Sequence, residues 1–192
     1  MTPYKISSEE INLFAQKIIP LPEAEDYQIQ VEKKGSGGRT LTVSQQEYVK
    51  FWSKLKNEWN KRLGQTLPEP RPIAYYQIPS GTGGIHFEWG FQGRPRSRFG
   101  VELHFEKGTK DDNLWYINAV RKHLPELEKQ VGQTIEVMEN WGHRWSRIFV
   151  QVHEGEMTED LQRFAIEKMV LFYQYLQPKL DLLKKEYSSF KR

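Results

Sequence analysis

An α+β domain, with a mostly antiparallel sheet of about five strands and helices packed on one face, follows from three patterns in this sequence. Short runs at 73–78, 85–91, 99–105, 134–138 and 144–153 carry the strand signal, mostly alternating apolar and polar residues. Short turns join several of them, which implies antiparallel neighbours. Segments near 44–63, 111–131 and 158–180 instead repeat apolar residues at three- and four-residue steps, the mark of helices with one buried face.

Residues 1–43 form a small extension ahead of a single domain over 44–192. Ser7 and Glu10 have capping-box spacing before Ile11, Phe14 and Ile18, and Pro20 and Pro22 end that short helix. Tyr27, Ile29 and Val31 alternate as a strand, Gly35-Ser36-Gly37-Gly38 turns the chain, and Leu41 and Val43 begin a return strand.

Ser44 and Glu47 form a second capping box. Tyr48, Phe51, Trp52, Leu55, Trp59 and Leu63 follow as the buried stripe of a helix that Gly64 closes. Helical spacing favours core packing over an aromatic platform for bases. Pro68, Pro70 and Pro72 make a stiff connector to a strand at Ile73–Ile78, and residues 79–84 read as a turn. That Gly-rich turn lacks the Lys-Ser/Thr ending of a phosphate loop and leads into a strand.

Ile85 to Phe105 reads almost alike in both directions about Pro95. His faces His, Glu faces Glu and Gly faces Gly, with apolar residues between. A hairpin paired symmetrically about Pro95 puts His86, Glu88, Glu102 and His104 in a square on one face. The inward residues are Phe87, Trp89, Val101 and Leu103.

Asp111 or Asp112 caps the next helix, which bears Leu114, Ile117, Val120 and Leu124; Pro125 kinks or restarts it before Leu127, Val131 and Gly132. Ile135 and Val137 point inward from a strand at 134–138. Asn140 to His143 turn the chain, and Ile148, Val150 and Val152 point inward from the strand at 144–153. Thr158 caps the last helix, whose stripe runs from Leu161 to Leu180 and is interrupted near its end by Pro178.

Charged residues of both signs make up 28% of the chain, and the net charge of +3 argues only mildly for nucleic acid. The absence of cysteine excludes disulfides, thiol catalysis and thiolate metal sites. No apolar run suits a membrane helix, and Met-Thr-Pro-Tyr-Lys lacks the pattern of a secretory signal. The expected location is cytoplasmic.

The opening Phe51-Trp52 helix, Gly100-Val101-Glu102-Leu103 and the helix with Leu124, Leu127 and Glu128 come in a telling order. Val131-Gly132, Ile135-Glu136-Val137 and Trp145-Ser146-Arg147-Ile148 complete it. Over roughly 51–183 the chain resembles a prokaryotic family, domain of unknown function 4268. Members are often found downstream of nuclease-like domains. The resemblance implies association with nucleic-acid processing or defence, with a nuclease-like protein as a possible partner. It carries no settled activity. A nuclease core of that kind would offer Asp/Glu-x-Lys, whereas Glu102 is followed by Leu103 and His104.

Two groups of residues can carry function. Arg94, Arg96 and Arg98 at the hairpin tip can grip the phosphates of DNA or RNA, with Tyr75, Tyr76 and Trp141 as stacking surface. His86, Glu88, Glu102 and His104 have the ligand types for a divalent metal such as Zn, Mn or Fe(II), whose bound water attacks an ester. In that case Glu88, Glu102 and Arg147 are the candidate catalytic residues, Arg147 neutralising developing charge. Alternation adds Glu136, Gln151 and His153 to the same face. The leading expectation is a non-catalytic binding or accessory module with no cofactor; the alternative is a metal-dependent hydrolase.

Overall fold

The computed structural model describes residues 41–190 apart from Arg94, so the expected extension before residue 41 lies outside the described residues. The chain runs as α1 (Val43–Leu63), β1 (Tyr75–Thr82), β2 (Ile85–Gln92), β3 (Arg98–Phe105), α2 (Lys110–Arg121), α3 (Leu124–Val131), β4 (Glu136–Trp141), β5 (Trp145–Val152) and α4 (Glu159–Phe190). The strands form one antiparallel sheet in the order β1-β2-β3-β5-β4. Helices α2 and α3 carry the chain from β3 to the far edge, and β5 returns to fill the gap beside β3. No helix among the described residues is long and apolar enough to cross a membrane.

The core lies between the sheet and the helices. Phe87, Trp89, Val101, Leu103, Ile148 and Val150 alternate inward and are fully buried. Trp52 and Trp59 bring α1 onto them. The Trp52 indole donates to the Ile73 carbonyl at 2.9 Å, and Trp59 sits edge-on to Trp89 at 6.0 Å. Trp89 donates to the Ala165 carbonyl of α4 at 2.9 Å. The aromatic stripe of α1 is therefore core.

Several boundaries differ from expectation. The cap of α1 is Thr42, not Ser44: the Thr42 hydroxyl accepts from the Gln45 N–H, and the Gln45 side chain accepts from the Thr42 N–H. Thr42 keeps extended backbone, so Val43 opens the helix instead of belonging to a return strand. Thr109, not Asp111 or Asp112, caps α2; its hydroxyl accepts from the Asp112 N–H, and both aspartates lie in the first turn. Pro125 restarts the chain as α3, in the first turn where a missing N–H costs nothing.

Strand β1 runs on through Thr82 with an irregularity after Pro79, leaving Gly83-Gly84 as the turn. Gly84 has φ +73°, and a Cβ there would meet the backbone of Glu106 and Lys107 at 3.0 Å. Val137 pairs with Ile148 but is exposed, because β4 is the edge strand. Helix α4 continues through Pro178: Leu176, Leu180 and Leu183 are buried on both sides of it, and this packing outweighs one lost backbone bond.

Candidate functional site

The hairpin pairs symmetrically. His86 lies opposite His104, Glu88 opposite Glu102 and Gly90 opposite Gly100. On the far side of β3, Arg147 of β5 lies opposite His104 and Phe149 opposite Glu102. All these side chains stand on the face away from the core.

Strand order breaks the symmetry. Strand β3 is central and has β5 as its second neighbour, whereas β2 has β1. Glu102 and His104 are thus 1% and 2% exposed, against 13% and 14% for the side chains of Glu88 and His86. Glu102 accepts from Arg147 Nη1 at 2.8 Å, from His104 Nε2 at 2.7 Å and from Gln92. The other His104 nitrogen, Nδ1, faces Glu106 at 3.2 Å. His86 stacks on His104, and Trp141 stands edge-on to the same ring at 5.3 Å. The Arg147 guanidinium lies over Phe149 and Trp141.

Burial alone would lower the pKa of His104. Its hydrogen bonds to Glu102 and Glu106, with the charges of Glu88 and Glu102, raise it instead to about 9. Burial would raise that of Glu102, but His104 and Arg147 hold it below the usual carboxylate range. The hydrogen bond with His104 lowers that of Glu106. At neutral pH His104 is an imidazolium held between two carboxylates.

The expected square is therefore only partly a ligand set. His86, Glu88 and His104 bring one ligand atom each within 4.8 Å of one another; Glu102 stands outside this group. Its oxygens are turned to Arg147, His104 and Gln92. Gln77 was not anticipated: its amide contacts Glu88 at 3.2 Å and His86 at 3.1 Å. Gln77 and Glu106 could have been found by extending the alternation along β1 and β3. Phe149 hid on the polar face because it is apolar.

The arginines form a different place. Arg94 lies outside the described residues. Arg98 starts β3 opposite Gln92. Arg96 is no solvated tip residue. Its guanidinium stacks over Tyr48 of α1 at 4.7 Å and Phe91 at 5.7 Å. Gly155 passes against its backbone so closely that a Cβ would not fit, which holds the turn to the body. Arg96, Lys50 and Lys54 line a cleft of about 400 Å³ between α1, the β2–β3 turn and the segment before α4. The lysines, one turn apart on α1, carried no sequence signal. Of the expected stacking residues, Tyr76 is buried and bonded to the Pro68 carbonyl. Trp141 covers His104 and Arg147, and Tyr75 is exposed.

The architecture is an α+β domain with a closed ionic network on one sheet face and, apart from it, a cleft where Arg96, Lys50 and Lys54 meet Glu47 and Glu156. The chain belongs to the family described as domain of unknown function (DUF4268), whose model matches residues 47–180. A search of curated proteins found no match, and a search of solved structures found none.

Proposed function

We propose that this domain is a non-catalytic binding module that contacts DNA or RNA phosphates, acting as an accessory to nucleic-acid processing. The observation that carries this reading is the convergence of Arg96, Lys50 and Lys54 on one cleft. Aromatic rings hold the guanidinium in place, so little side-chain freedom is lost on binding. Neither lysine has an ion-pair partner among the described residues, and both are exposed. The closed state of the His104 network supports the non-catalytic part, because both ring nitrogens are already committed.

Salt-dependent binding of a labelled single-stranded oligonucleotide tests it. Lys50→Ala/Lys54→Ala should weaken binding and flatten the slope of log K against log salt by about 0.7 per lysine. An oligonucleotide that never binds, or binds with unchanged slope, rejects the reading.

A second reading, a metal-dependent hydrolase, is favoured by the closeness of His86, Glu88 and His104. It requires His104 to release the proton it shares with Glu102. Metal analysis of protein purified without a histidine tag decides it: stoichiometric Zn or Mn, lost in Glu88→Gln, supports a metal centre. Its absence after incubation with either ion removes the machinery.

A further inference from the structure

We infer that the cleft beside Arg96 binds a phosphate monoester at the end of a nucleic-acid strand. This rests on the reading of the domain as a nucleic-acid-binding module and adds which part of the polymer is held.

Arg96 has a donor to spare. Its Nη1 is buried and has no hydrogen-bond acceptor, while Nη2 has only Glu47, at 3.9 Å. A buried guanidinium nitrogen without an acceptor is costly, and an anion in the cleft would relieve it. Lys50 and Lys54 on α1 face the same space, and Gln162 in the first turns of α4 adds an amide. Three cations match the three terminal oxygens of a monoester better than the two free oxygens of an internal diester.

The shape and the acids point the same way. A volume of about 400 Å³ suits one nucleotide-sized group. Glu47 and Glu156 also line the cleft. Their carboxylates oppose a second phosphate nearby, so the charge pattern admits one phosphate and rejects a continuous backbone track. A strand end meets that condition; the middle of a duplex does not.

The test compares single-stranded oligonucleotides of one sequence carrying a 5′-phosphate, a 3′-phosphate or only hydroxyl ends, by fluorescence anisotropy with the intact chain. One phosphorylated end should bind about tenfold tighter than the hydroxyl form. That preference should vanish in Lys50→Ala/Lys54→Ala, whose exposed positions leave the fold intact, and shrink in Arg96→Lys, which keeps the charge but loses the planar fork. A nucleoside monophosphate serves as competitor. Weak competition supports a strand end. Displacement at a Kd equal to that of the phosphorylated strand shows that a free nucleotide suffices, and overturns the strand-end assignment. Equal binding of all three oligonucleotides overturns the inference and leaves the nucleic-acid reading standing. Failure of every oligonucleotide to bind overturns both.

Discussion

The carboxylate of Glu102 lies over Gly100, in the space that a Cβ on that glycine would fill. The glycine lets the side chain fold back along its own strand to meet Gln92 while its other oxygen meets His104 and Arg147. Its hairpin partner Gly90 leaves more room: a Cβ there would lie 3.4 Å from Glu88. Gly100→Ala should therefore destabilise the domain by about 1–3 kcal/mol, the usual cost of overpacking, with Gly90→Ala clearly milder. Chemical denaturation of both variants reads the difference, and equal midpoints would show that Glu102 moves aside freely.

The ion pair itself gives a second test. Arg147→Met removes one of the two cations on a buried carboxylate that keeps His104 and Gln92, and should cost about 1–3 kcal/mol. Glu102→Gln/Arg147→Met, which removes both charges, should recover part of that loss. If the single variant unfolds at the denaturant concentration of the parent, the pair contributes nothing.

The pH dependence has a definite sign. His104 is raised from 6.5 to about 9, so its stabilisation is complete below 6.5 and is lost as pH rises through about 9. Glu102 and Glu106 are lowered, so theirs is present above about 4.5 and is lost as pH falls through their folded values. Melting temperature should be highest between these limits and should decline on the alkaline side. His104→Gln should flatten that decline. A parent whose melting temperature holds constant from pH 6.5 to 9 would mean that His104 is neutral when folded.

Two buried tryptophans should respond differently to one change. Trp52 donates to the Ile73 carbonyl, whereas the Trp59 indole nitrogen has no partner. Phenylalanine at 52 strands an acceptor; at 59 it removes an unsatisfied donor. Trp52→Phe should be worse than Trp59→Phe by about 1 kcal/mol, while alanine at either position should cost about 3–5 kcal/mol. Thermal melts that rank the phenylalanine variants the other way would contradict the hydrogen-bond argument.

The register of the hairpin was legible because the alternation has a period of two and the palindrome has one centre. Fold class and helix faces were legible for the same kind of reason. What could not be read was which strand lies beyond β3. With β5 there, Arg147 reaches Glu102 and draws one of its oxygens away from the ligand group, while His104 is held by Glu102 and Glu106 of its own strand. Caps went to Thr42 and Thr109 because several Ser, Thr and Asp residues satisfy the same local pattern. Arg96 looked exposed in sequence because nothing local announces that Tyr48 and Phe91 will meet beneath it.

Strand order also has a temporal side. Hairpin β2–β3 closes through a short turn and can pair early, yet it sets Glu88 against Glu102 with no arginine between them. His104 of the hairpin itself offsets part of that repulsion; the second cation is Arg147, 45 residues from Glu102 in sequence, after α2, α3 and β4 have been laid down. Docking of β5 is thus a long-range event that completes the charge balance of the hairpin, and a slip of one residue there would drive Arg147 into the helix-covered core. The domain is expected to fold at a pace set by that late closure.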